Sequence, residues 1–103
     1  MDIQLKKGIL DLCVLYAISK SESYGYKIIS DLQGIIDISE STLYPILKRL
    51  EAGGYLLTRT AEHGGRLRRY YKITDEGLNK LRSGRSDLLE INSIYNKLFG
   101  GNI

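Results

Sequence analysis

A chain of 103 residues, 43% hydrophobic and 26% charged, is one domain with room for a modest core. It carries no apolar run of roughly 18 residues to span a bilayer and no signal-peptide pattern at its N-terminus, so the cytoplasm is the expected compartment. Its single cysteine excludes an internal disulfide, and its net charge of +3 is unevenly spread. Between Ser39 and Ile73 stand seven basic residues (Lys48, Arg49, Arg59, Arg66, Arg68, Arg69, Lys72) against three acids (Glu40, Glu51, Glu62). The rest of the chain is slightly acidic, which points to a local anion-contacting surface rather than general solubility charge.

Residues from about Gln4 to Ser19 read as a first helix. Leu5, Ile9, Leu12, Cys13 and Tyr16 make one face, widened by Leu10, Val14, Ala17 and Ile18. A helix apolar nearly all round is either central or covered by a partner, and Cys13 inside this run reads as a core residue. Ser21-Glu22-Ser23 is a polar break in which either serine is placed to cap the next helix. That helix, about Tyr24 to Gln33, turns Ile28, Ile29 and Leu32 inward and stops at Gly34. Its first turn, Tyr24-Gly25-Tyr26-Lys27, has two readings. Free N–H groups beside the Tyr24 phenol and the Lys27 ammonium suit a phosphate oxygen. Alternatively, the glycine serves close packing between two half-buried tyrosines.

The stretch Ser39 to Glu51 is the most informative. Leu43, Ile46, Leu47 and Leu50 fall at i, i+3, i+4 and i+7, one stripe of a helix. Ser39 is a good N-cap, and Ile38 and Leu43 are spaced as a hydrophobic staple. Ser41, Pro45, Lys48 and Ala52 point away from the stripe, with Thr42, Tyr44 and Arg49 on its shoulders. The outward face is small, hydroxylic and basic, which suits a DNA major groove. An ordinary surface helix is the alternative, so the neighbours matter.

Tyr55 to Ala61 and Leu67 to Thr74 read as strands, joined by a hairpin loop from Glu62 to Arg66. Three helices and a hairpin is the winged helix-turn-helix order. Arg66, Arg68 and Arg69, with Arg59 across the hairpin, would meet a nucleic-acid backbone or minor groove; a merely solvated basic hairpin is the alternative. Thr74 then caps a last helix whose Asp75 and Glu76 favour its positive end. Leu81, Leu88, Ile91, Tyr95 and Leu98 follow a spacing near 3.5 residues, with Gly84 where an apolar residue would belong. At about 24 residues and about 36 Å this helix is too long for the body to cover, so it needs a partner. The segment Arg82 to Ser86 is a weak point where it could bend. The division is thus a DNA-binding domain over residues 1–74 and a dimerisation helix over 75–103.

The pieces GILDLCVLYAIS, YGYKI, STLYPILKRLEAGGYL and RRYYKITDEG together resemble the PadR family of bacterial transcriptional regulators over nearly the whole chain. The resemblance implies a homodimeric winged helix on palindromic double-stranded DNA, usually a repressor, whose C-terminal helix crosses to the other subunit. A one-helix tail is like the short-chain branch, which includes regulators of multidrug transporters and members sensing aromatic compounds at the dimer interface. It also accounts for Pro45, which by ordinary accounting costs roughly 3 kcal/mol at the sixth helical position. The family's recognition helix carries this proline, so the longer helix with a local distortion is expected. Gly84 and its polar neighbours depart from a regular dimer helix.

The expected function is therefore sequence-specific DNA binding by a homodimeric repressor. Tyr24, Lys27, Ser39, Ser41, Thr42, Tyr44, Pro45, Lys48, Arg49, Arg66, Arg68 and Arg69 would contact DNA. A slot for a small aromatic or drug-like effector, walled by Tyr16 or Tyr95, is set against a closed interface with no ligand. A protein-interaction winged helix without DNA is the alternative function, and it would show a more acidic or apolar recognition face. No catalytic residue, metal ligand or cofactor is assigned: His63 is the one histidine and sits in a glycine loop, and no carboxylate pair or metal spacing occurs.

Overall fold

A computed structural model describes residues 1–101 of the chain. Helix α1 spans Ile3–Ile18 and is capped by Asp2, whose carboxylate accepts from the N–H groups of Gln4 and Leu5 at 3.0 and 3.1 Å. Its buried face is Leu10, Val14, Leu15 and Ile18. This corrects the expected principal face: Leu5 and Tyr16 are exposed, and Ile9, Leu12 and Cys13 are only partly covered. Both faces of α1 are apolar, so periodicity alone does not choose between them; packing against the next two helices does.

Helix α2 covers Gly25–Leu32 and buries Ile28 and Leu32 inward, ending at Gly34 as expected. Neither serine caps it. The cap position is Tyr24, without a side-chain bond, and Ser23 is used otherwise. Its backbone N–H donates to Tyr71 O at 3.0 Å and its carbonyl accepts from Tyr71 N at 2.8 Å, tying the link before α2 to the hairpin. Helix α3, Glu40–Ala52, matches the expectation closely. Ser39 accepts from the Thr42 N–H, while Leu43, Ile46, Leu47 and Leu50 are buried over a buried Ile38. The helix runs unbroken through Pro45, which forgoes one backbone hydrogen bond.

Strands β1 (Leu56–His63) and β2 (Arg66–Ile73) pair antiparallel, from Leu56 opposite Ile73 to His63 opposite Arg66. The expected loop from Glu62 to Arg66 contracts to two residues, Gly64 and Gly65, with φ of +59° and +81°. Positive φ at both central positions is the tight hairpin turn whose twist matches that of the strands. Glu62, His63 and Arg66 are thereby drawn into the ladder, which a solvated wing tip tolerates because both its faces are wet.

Helix α4, Asp75–Phe99, begins at Thr74, whose hydroxyl accepts from Gly77 N at 3.0 Å and donates to Gly54 O at 2.7 Å. It is continuous through Gly84, correcting the expected weak point. Gly84 is buried, and a Cβ there would overlap the Leu12 side chain. Every described residue after Gly84 is exposed. The protruding helix gives extents of 57 × 25 × 22 Å and a radius of gyration of 15.5 Å, against about 13 Å for a compact chain of this size.

Candidate nucleic-acid interface

Burying the apolar stripe of α3 leaves its other side in solvent. Ser39, Ser41, Thr42, Tyr44, Pro45, Lys48 and Arg49 are all exposed. The Ser39 hydroxyl lies 3.0 Å from that of Ser41 and 3.1 Å from that of Thr42, a cluster of small polar groups at the helix start. Tyr44 projects toward the start of α2, where its hydroxyl occupies the space a Cβ on Gly25 would need. The packing role of Gly25 is therefore real, and the two tyrosines beside it differ. Tyr24 is partly buried while Tyr26 is 68% exposed. Lys27 is engaged with Asp31 at 2.9 Å, an open i,i+4 pair of small worth.

The wing stands beside α3, and its arginines divide into two kinds. Arg59 donates to both carboxylate oxygens of Glu22, at 2.8 and 2.5 Å, and lies 4.5 Å above the Tyr70 ring. It therefore faces the link before α2, a correction to the expectation that it points toward nucleic acid. Arg69 reaches Glu51 at 3.1 and 3.2 Å and the Thr58 hydroxyl at 3.2 Å. Thr58 itself donates to Glu51 at 2.6 Å. The hydrogen bonds from Arg59 hold the Glu22 carboxyl below the usual glutamate range, and the Thr58 hydroxyl, then Arg69, do the same for Glu51. Arg49 on α3 is likewise paired, with Asp11 of α1.

Lys48, Arg66, Arg68 and Lys72 make no ion pair among the described residues. Arg68 stacks 3.8 Å above the Tyr24 ring, and Tyr24 meets Tyr70 edge-on at 5.8 Å. This stack fixes the wing against the start of α2. Between them lies a hollow of about 350 Å³ lined by Tyr26, Tyr44, His63, Arg66 and Arg68. Sequence reasoning missed the three internal carboxylate partners Asp11, Glu22 and Glu51. Asp11 and Glu22 lie 38 and 37 positions from their arginines, beyond the reach of any local charge count.

On the opposite side, Leu81 is half-buried against the core of its own chain. Leu88, Ile91, Tyr95 and Leu98 are 41%, 50%, 57% and 65% exposed, joined by Leu89, Ile94 and Phe99. Tyr16 lines an apolar groove of about 400 Å³ together with Ile9, Leu12, Cys13, Leu81 and Leu88. Burial raises the Cys13 thiol above its ordinary range. Tyr95 is not on that groove; its ring lies 5.8 Å from Phe99 near the tip of α4. One chain thus does not bring the two tyrosines together. Among the described residues no His, Cys, Asp and Glu side chains group as a metal site, and no helix is long and apolar enough to cross a membrane.

Three helices, a two-stranded wing and an outward-facing third helix define a winged helix-turn-helix protein. Residues 14–83 match the model of the transcriptional regulator PadR-like family, and the chain belongs to that family, one of regulators rather than enzymes. A transcriptional regulator of Mycobacterium tuberculosis is 32% identical over 89 residues, covering 85% of this chain and 83% of that protein. The fold is similar to that of smu.1704 from Streptococcus mutans, with a TM-score of 0.83 and 40% identity over 94% of this chain and 92% of the other. It is also similar to a PadR-like regulator from Bacillus cereus, with a TM-score of 0.82 and 33% identity over 96% and 99% of the two chains. A Bacillus subtilis PadR solved in complex with operator DNA matches with a TM-score of 0.69 and 29% identity. That match covers 73% of this chain and 45% of the other.

Proposed function

We propose that this regulator is a homodimeric repressor that reads palindromic operator DNA with α3 and grips the backbone with its wing. The observation that carries the reading is the division of α3. Its four apolar residues are buried, and Ser41, Thr42, Tyr44, Pro45 and Lys48 are left in solvent beside the unpaired Arg66. A related PadR has been solved on its operator, which supports the same use of the fold here. Residues 1–74 form the DNA-binding part in this reading, and the helix from residue 75 onward carries dimerisation. The test is a gel shift against the protein's own upstream region at two salt concentrations. A retarded complex that outlasts one on random duplex supports the reading, and equal loss on both duplexes contradicts it.

Dimerisation rests on the apolar ridge of α4 from Leu88 to Phe99, which the single chain leaves uncovered. An aromatic effector would enter where the groove beside Tyr16 meets a partner's α4, bringing the partner's apolar side chains over it. Release would follow if the ligand favours a dimer whose recognition helices no longer match half-sites about 34 Å apart. A thermal-shift screen of aromatic and cationic compounds, with operator release as readout, tests the switch. Stabilisation without release would leave a pocket and remove the regulation.

A further inference from the structure

We propose that Lys6 and Lys7, at the start of α1, form a second phosphate-binding flank on the side of α3 opposite the wing. The inference rests on the DNA-binding reading above. The two shoulders of α3 face different neighbours. Tyr44 and Glu51 face the start of α2 and the hairpin, through Gly25 and through Thr58 and Arg69. Thr42, Pro45 and Arg49 face α1, where they share a shallow groove of about 390 Å³ with Ile3, Lys6 and Lys7. Lys6 also lines the adjoining hollow that contains Ser39 and Thr42, so it stands beside the N-terminal turn of α3.

Lys6 and Lys7 lie far from the basic segment 39–73 in sequence but beside α3 in the fold. In the fold, Arg49 on this shoulder is paired with Asp11, and the unpaired Arg66 and Arg68 line the hollow on the wing side. Lys6 and Lys7 are exposed and make no ion pair among the described residues, so they restore positive charge to the shoulder that Asp11 neutralises. A helix lying in a major groove runs between two phosphate backbones, and cations on both shoulders let it engage both. The acids nearby are largely engaged. Asp2 caps α1 and Asp11 holds Arg49, while Asp37 shares the hollow with Lys6 but not the groove with Lys7.

The experiment is a fluorescence-anisotropy titration of the upstream duplex and a scrambled duplex across a salt series, with wild type, Lys6→Gln/Lys7→Gln, and Lys20→Gln as a control at the far end of α1. The double variant should bind both duplexes more weakly, with the salt slope flatter by about two units per bound chain, or about four for a dimer on its site, and its circular dichroism melt unchanged. The control should keep the wild-type slope. A double variant with the wild-type slope overturns the flank while leaving the DNA reading intact. A wild type that binds neither duplex at low salt overturns both.

Discussion

Leu12 of α1 occupies the space that a side chain at Gly84 of α4 would need, so the two helices cross in close contact at this glycine. The crossing anchors the body-bound turns of α4, and every described residue beyond it is exposed to solvent. A glycine free in a helix would be improved by alanine, by about 1 kcal/mol. Here overlap with Leu12 should dominate, and Gly84→Ala should destabilise by roughly 1–3 kcal/mol at fixed protein concentration. Leu12→Ala in the same chain should return part of that stability. Denaturant melts of the two single variants and the double variant measure the coupling, and a stabilised Gly84→Ala would show that the two helices do not meet there.

The two kinds of wing arginine should separate in salt titrations. Arg66→Ala and Arg68→Ala should weaken binding to specific and random duplexes alike, and each should flatten the salt slope by about one unit for every phosphate it no longer neutralises. Arg59→Ala should also weaken binding, because Glu22 in the link before α2 no longer holds the wing, yet leave the slope as it was. A flattened slope for Arg59→Ala would mean that this side chain leaves Glu22 for phosphate.

Acid should loosen the wing. Glu22 and Glu51 are held below the ordinary glutamate value, so each stays ionised in the folded chain where the unfolded chain takes up a proton. Their contribution is complete above that ordinary range and is lost as pH falls through the depressed folded values. Both pairs are open to solvent, so the effect is modest. Thermal midpoints recorded between about pH 6 and 3 should fall less steeply for Glu22→Gln/Glu51→Gln than for wild type. Parallel curves would remove these pairs from the acid response.

Local physics made much of the molecule legible in its sequence. The Ser39 cap, the Leu43–Leu50 stripe and the Thr74 cap follow from periodicity and capping chemistry, and all three stand as read. What the sequence hid depends on meetings between distant residues. The doubly apolar α1 could not declare that Leu15 faces inward and Leu5 outward until α2 and α3 were in place. Gly84 looked like a flaw because its partner, Leu12, lies 72 positions earlier. The same blindness made Arg59 look free, since Glu22 belongs to a different segment.

The exposed ridge of α4 should hold the molecule as a dimer. Deleting about 15 C-terminal residues removes most of that ridge and should give a monomer by light scattering. The full-length chain should remain dimeric at tens of micromolar, with an interface above ~2,000 Å². A full-length monomer at that concentration would refute the ridge as an interface.

Operator reading by α3 is tested most directly by titrating the upstream duplex and a scrambled duplex of equal length with wild type and with Ser41→Ala/Lys48→Ala. The wild type should bind the upstream duplex at two chains per site and roughly 10³-fold or more tighter than the scrambled one at physiological salt. The double variant should lose most of that preference while keeping its fold, because both side chains are exposed on α3. Equal wild-type affinity for the two duplexes, or a preference untouched in the variant, would contradict recognition by this helix.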